Sequence, residues 1–346
     1  MGLRADSWSG GAARVMTRCG LREPSFAHAA EGYTEATGGQ VSSASVRRVT
    51  QGFGRAVQAR QAGEAQRAGE VGAFEEVPQE RWLELHTPLE DTGNLSSDGT
   101  MILIREEGWK EAKVAAFSAV ESLAPHHPDR RKAQREGPRQ DEAVVRLSDH
   151  SYCAGVWDAD TFGTYQYVEG LRRGFDRVAG ASSVNDGAVW IARITDLNFP
   201  EAQFIVDWSH SMEHLWAVAH AKYGEGTAQA TTWMQERETE LWAGNVASVV
   251  AALEALDLDA TYPDHVRQAP QYFAKRAAAM RYADFRKQGY PIGSGTVESA
   301  ARNVVQPRMR RPGRGWQHDN ADAMLAALCE FHSGCLTWAW QQPVST

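Results

Sequence analysis

Near residue 90 the sequence changes period, and few folds accommodate what comes before and after that change. Residues 56–80 are rich in Ala, Gln, Glu and Arg and read as a polar helix or linker. From Gly93 the pattern becomes extended. Gly93–Asp98 and Thr100–Arg105 read as strands, with Asp98-Gly99 between them as a hairpin-turn signal. Lys110–Val120 alternates, with Val114, Ala116 and Ser118 on one face and Lys113, Ala115 and Phe117 on the other. A polar loop is expected over 125–142 and a further strand over 143–156. Then the period lengthens. Asp158–Phe175 reads as a helix, 178–184 as a short strand, 187–197 as a helix, 202–206 as a strand and 208–222 as a helix.

A three-strand meander followed by helix–strand–helix–strand–helix predicts an α/β fold with a mixed sheet flanked by helices, the order expected of an RNase H-like core. Residues 226–287 carry Trp233, Leu241, Trp242, Val246, Val250 and Leu253 at helical spacing and read as a helical insertion before the last core helix. At the other end, Ser25 can cap a helix that Gly38-Gly39 ends, and Ser42-Ser43 can cap a second one bearing Arg47 and Arg48. That pair reads either as a helix-turn-helix or as a helical hairpin with a basic face. The expected organisation is a DNA-binding segment over 1–60, a linker over 61–90 and a catalytic domain over 91–346.

The chain of 346 residues has a net charge of −8, yet its positive charge is concentrated. Residues 1–60 hold eight Arg, no Lys and four acids, and Ser299–Gln317 holds Arg302, Arg308, Arg310, Arg311 and Arg314 with no acid. Phosphate binding depends on local potential, so these patches are compatible with nucleic acid; as solvated faces they need no partner. Trp316 reads as a stacking platform for a base or as a core residue. Cys19, Cys153, Cys329 and Cys335 form no C-x-x-C pair and are expected as free thiols. No apolar run reaches about 18 residues and the N-terminus lacks an apolar signal segment, so no membrane contact and a cytoplasmic, nucleoid-associated location are expected.

Three acids lie at element boundaries. Asp98 in SSDGT reads alone as a turn aspartate, Asp186 in VNDGAVW as a helix cap, and Glu298 in PIGSGTVESAAR as a first-turn acid favoured by the helix dipole. Together they also suit two-metal phosphodiester chemistry, which needs a few carboxylates on rigid elements and leaves water on the metals. A second cluster, IVDWSHSMEHL, puts His210, Glu213 and His214 in an H-x-x-E-H pattern, so a zinc metallopeptidase is an alternative, with Glu236, Glu238 or Glu240 as a third ligand.

The stretches SSDGTMILIREEGWKEAKV, NDGAVWI, FPEAQFIVDWSHSMEHLW, FRKQGYPIGSGTVESAARNVVQPRMRRPGRGW and DAMLAALCEF resemble transposases of ISKra-type bacterial insertion sequences and, more distantly, Mutator-like transposases. The resemblance runs from about residue 25 to the C-terminus and is most specific in the IGSG-x-VES block. It implies an RNase H-like DDE transposase in which Asp98, Asp186 and Glu298 are the catalytic metal ligands for Mg²⁺ or Mn²⁺. It implies a D-x-x-H motif at Asp207 and His210, with Asp207 the competitor to Asp186 as second ligand. The implied partners are the DNA of the element ends and target, with Arg47, Arg48, Arg302, Arg308, Arg310, Arg311, Arg314 and Trp316 on that DNA, and a second copy of the chain in a dimer or higher oligomer. No upstream zinc-binding segment is expected, and a truncated or inactive DNA-binding derivative is the third reading.

Overall fold

The computed structural model describes residues 8–70, 88–124 and 144–336. Its centre is a five-stranded sheet in the order β3-β2-β1-β4-β5. β1 (Thr92–Ile104) pairs antiparallel with β2 (Gly108–Ser122), and β2 pairs antiparallel with β3 (Val145–Gly155). β4 (Gly180–Asn185) joins β1 in parallel, and β5 (Gln203–Val206) joins β4 in parallel.

The expected turn at Asp98-Gly99 does not form. Both residues lie within the single strand β1, opposite Val114 and Lys113, and the chain reverses instead between Ile104 and Gly108, where Gly108 takes φ +78°. An Asp-Gly pair carries only a local preference. Here twelve paired positions on β2 and a parallel neighbour on β4 outweigh it. Gly99 serves another purpose: a Cβ there would fall 2.2 Å from a carboxylate oxygen of Glu111.

The alternation along β2 sends side chains to two cores. Val114 and Ala116 join Ile102, Ile104, Phe53, Val57, Met324, Leu325 and Leu328 on one side of the sheet. Ala115 and Phe117 join Leu95, Phe162, Phe175, Ile194 and Phe199 on the other. Phe117 meets Phe175 and Phe199 edge-on, with centroids 5.3 and 6.0 Å away. Truncating such a ring to Ala costs about 3–5 kcal/mol.

Three helices precede the sheet: α1 (Gly10–Arg22), α2 (Phe26–Thr37) and α3 (Ser43–Glu70). Ser25 caps α2, Gly38 ends it in the left-handed conformation at φ +71°, and the Ser42 hydroxyl accepts the Ser45 amide at the start of α3. α1 was not expected, although Ser9 accepts the Ala12 amide as its cap and Ala13 and Met16 pack on Ala29, Tyr33, Val46 and Val49. Residues 61–70, expected as linker, continue α3. There Glu64 pairs with the buried Arg172, and Ala68 packs on Val168 and Leu171. The rest of the expected linker through 87, and the loop expected over 125–142, lie outside the described residues.

α4 (Ala159–Arg172), capped by Asp158, and α5 (Val189–Asn198) cover one side of the sheet. α6 (Trp208–Tyr223) follows β5. The expected insertion is α7 (Ala228–Trp242), α8 (Val246–Glu254), α9 (Asp264–Arg267), α10 (Ala269–Arg276) and α11 (Tyr282–Lys287). It has its own core, in which Trp233, Leu241, Val249, Phe273 and Tyr282 pack with Val184, Ile205 and Leu215. α12 (Gly295–Ala300), a π-helical turn over Ala301–Val305, α13 (Gln306–Met309) and α14 (His318–His332) complete the chain's described part. Trp316 bridges in parallel to Ile104 at the end of β1. Among the described residues no helix is long and apolar enough to cross a membrane. The cysteines are free thiols; Cys153, Cys329 and Cys335 are buried.

Candidate functional site

In open α/β sheets, ligands gather beyond the carboxyl ends of the parallel strands. The register brings acids there. Leu95 pairs with Ser183, and Asn185 with Val206. Three residues on from the first pair, and one from the second, Asp98, Asp186 and Asp207 stand at one level across β1, β4 and β5.

Asp98 is half-buried. Its carboxyl is held above the usual carboxylate range by burial and by the charges of Asp186, Glu298 and Glu111, against the single Gly99 amide that donates to its Oδ1 at 2.7 Å. Asp186, at a strand–helix turn, and Glu298, at a helix start, thus both act electrostatically on Asp98 in its strand. Glu111, on β2, is a fourth acid in this field that the sequence did not single out; Lys113 pairs with it at 2.7 Å.

The second acid is held by the insertion. Asp186 Oδ1 accepts the Ala188 amide at 2.8 Å, and Gly187 adopts φ +83°. The Gly187 carbonyl accepts Arg276 Nη2 at 2.9 Å and Nε at 3.3 Å, and the Asp186 carbonyl accepts the Tyr272 hydroxyl at 3.3 Å. Burial pushes that hydroxyl up to about 12, so it remains a donor at neutral pH. Arg276 lies over the Tyr272 ring at 4.2 Å. Sequence reasoning missed both residues, since in an apolar helical segment Tyr and Arg read as core and surface.

Asp207 is 3% exposed. Its Oδ1 accepts the His210 amide at 2.7 Å and its Oδ2 accepts the Ser294 amide, while the Trp208 amide donates to the Ile292 carbonyl at 2.9 Å. Both carboxylate oxygens are therefore engaged by backbone, and they tie the loop that leads to Glu298 onto the β5–α6 junction. Among the described residues the Asp186 carboxylate has no such second tether.

His210 and His214 share a face of α6, their Nε2 atoms 3.2 Å apart. His214 stacks on Tyr272 at 4.1 Å. Burial, then the charges of His210, Arg276 and His265, lower its pKa to about 4. Glu213 is largely exposed and lies 3.6 Å from His210 Nδ1. Two of the three acids that could serve as a third zinc ligand are otherwise engaged: Arg237 bonds both Glu236 and Glu240. Among the described residues no three His, Cys, Asp or Glu side chains come together as a group that could hold a metal ion, the histidine pair and the three carboxylates included. Mg²⁺ does not require three protein ligands. It binds through one or two carboxylates and keeps water, and a carboxylate such as Asp98, whose charge its acidic neighbours oppose, is the type of donor such an ion takes.

The predicted basic residues separate into two kinds. Arg47, Arg48, Arg302, Arg310, Arg311 and Arg314 are exposed, whereas Arg308 is buried. Trp316 is half-buried, its indole Nε1 donating to the Met309 carbonyl at 3.1 Å and its backbone bonded to Leu103 and Arg105. Comparison with protein-family models and with curated proteins gave no match to this chain.

Proposed function

We propose that this protein is a DNA transposase of the ISKra type, distantly Mutator-like, that cleaves and joins DNA strands by metal-assisted phosphoryl transfer. The observation that carries the reading is the electrostatic coupling of Asp98 to Asp186 and Glu298 at the carboxyl edge of the parallel strands. The strand order and the antiparallel–parallel division of the sheet support an RNase H-like core. The basic N-terminal helices support a helix-turn-helix role for α2 and α3, with Arg47 and Arg48 on DNA.

In this reading Asp98, Asp186 and Glu298 would hold Mg²⁺ or Mn²⁺, which supplies Lewis-acid activation of the attacking oxygen and charge stabilisation at the leaving oxygen. The chain's other residues position these ligands. Asp207 fixes the approach to Glu298, and Tyr272 and Arg276 fix the turn that carries Asp186. Such support matters because a misplacement of about 1 Å can cost about a hundredfold in rate. Arg302, Arg310 and Arg311 hold DNA phosphates near the site, and a dimer on paired DNA ends belongs to the same reading.

The test is cleavage of a duplex carrying the element's ends in Mg²⁺ or Mn²⁺. Asp98→Ala is expected to reduce it to background with DNA binding retained. Undiminished cleavage by that variant sinks the assignment, and salt-sensitive binding with no nicking in either metal marks an inactive derivative.

A further inference from the structure

An open groove of about 710 Å³ lies between the starts of α2 and α3 and the segment that follows α13. Arg47, Arg105, Arg308 and Arg314 line it, and among the described residues no carboxylate does. Ser25–Ala27 opens α2 and Ser43–Ala44 opens α3 along its wall, so the first turns of a 12-residue and a 28-residue helix border it. The His28 and Ser45 amides are taken by the Ser25 and Ser42 hydroxyls, and the aligned peptide dipoles of the two helices favour an anion at their starts.

The second, independent observation is Arg308. It is only 4% exposed. Its Nε donates to the Gly20 carbonyl at 3.1 Å, and its guanidinium lies 4.1 Å from the Phe26 ring centroid and 5.4 Å from that of Trp316. Its Nη2 is buried with no hydrogen-bond partner among the described residues. Burial, with Arg314 and Arg311 nearby, lowers its pKa to about 10, which still leaves it charged at neutral pH. A buried cation without a counterion is costly, and a planar guanidinium matches the paired oxygens of a phosphate.

We propose that this groove binds a phosphate group, with the Arg308 guanidinium as its innermost donor and Arg47, Arg105 and Arg314 around it. Two sources share that chemistry. A backbone phosphate of duplex DNA is the one favoured here, and that choice rests on the proposed function; a free phosphate is the other. With DNA in the groove, the N-terminal helices and the arginine segment beyond Glu298 would grip one phosphate jointly, apart from the carboxylates.

The test uses the full chain, with inorganic phosphate and a labelled duplex as probes. Phosphate, compared with chloride at equal ionic strength, is expected to raise the thermal midpoint of the wild type but not of Arg308→Met. Duplex affinity is expected to fall about tenfold in Arg308→Met, with the slope of log K against log salt reduced by about 1. Should Arg308→Met fail to fold, the exposed double variant Arg47→Gln/Arg314→Gln carries the same two measurements. Stabilisation by phosphate with unchanged duplex binding overturns the DNA source and supports the free one. No response to phosphate, with unchanged duplex affinity in both variants, overturns the site. Asp98→Ala should retain both binding signals, so failure of the cleavage reading and failure of this groove are separately visible.

Discussion

Arg172 and Arg308 are both almost wholly buried, and they are treated in opposite ways. Arg172, on α4, meets Glu64 of α3, Glu169 of its own helix at 3.1 Å and Glu330 of α14 at 4.0 Å. Burial lowers its pKa, but the three carboxylates more than reverse that and hold it above the guanidinium range. Arg308 has a carbonyl, two aromatic rings and like charges, and its pKa falls. The first is a lock between three helices, its charge met by carboxylates of the same chain. The second is a charge whose counterion is not among the described residues. Asp98 is its mirror image, an acid in a field of acids. The difference teaches where to look for ligands: burial alone does not mark a site, whereas burial without an internal counterion does.

The largest stability effect expected from this contrast is at the lock. Arg172→Met takes its cation from the buried Glu169 and leaves Glu64 and Glu330 with Arg60, and is expected to cost about 3–5 kcal/mol by chemical denaturation. Arg308→Met removes an uncompensated charge, and its stability is expected within about 1 kcal/mol of the wild type, or higher. Equal large losses in both variants would break the comparison.

Next in size is the contact that brings the lock together. A Cβ on Gly54 would lie 1.9 Å from the Ala323 carbonyl oxygen, so α3 and α14 touch backbone to backbone. Gly54→Ala is expected to destabilise by about 1–3 kcal/mol, and a neutral result would show that α3 packs more loosely than described.

The smallest effect is a pH dependence. His214 has a folded pKa of about 4 against an ordinary value of 6.5. Between these values the unfolded chain binds the proton and the folded chain does not, so stability falls as pH drops from about 6.5 to 4. His214→Phe, which keeps a ring against Tyr272, is expected to flatten that part of the profile. An unchanged profile assigns the loss to other groups.

Much of the core was legible because its signals are periodic. The two faces of β2 were readable from Val114, Ala115, Ala116 and Phe117, and the cap at Ser25 from residue type alone. Where tertiary pairing overrules a local preference, the reading failed, as at Asp98-Gly99 within β1. Polar residues that turn inward were also missed: Glu64 makes the end of α3 resemble a linker, and Arg308 is indistinguishable in sequence from the exposed arginines beside it. α1 was readable from Ser9 and the apolar spacing of Ala13, Met16 and Cys19, but the glycines at its start masked it. Of the candidate site, Asp98, Asp186 and Glu298 were singled out in the sequence, each alone as a turn, cap or first-turn acid and together through the resemblance. The supports from Tyr272, Arg276 and the Ser294 amide were not, since each joins residues far apart in the chain.

The central claim is that Asp98, Asp186 and Glu298 form a site for hard divalent cations, and calorimetric titration of Mn²⁺ into the full chain tests it most directly. Asp98→Asn relieves a buried repulsion, so it is expected to fold with a midpoint equal to or about 1–3 °C above the wild type. The account predicts saturable Mn²⁺ binding by the wild type, lost in Asp98→Asn and Asp186→Asn and retained in His214→Phe. Binding that survives both carboxylate substitutions and disappears with His214 would contradict it.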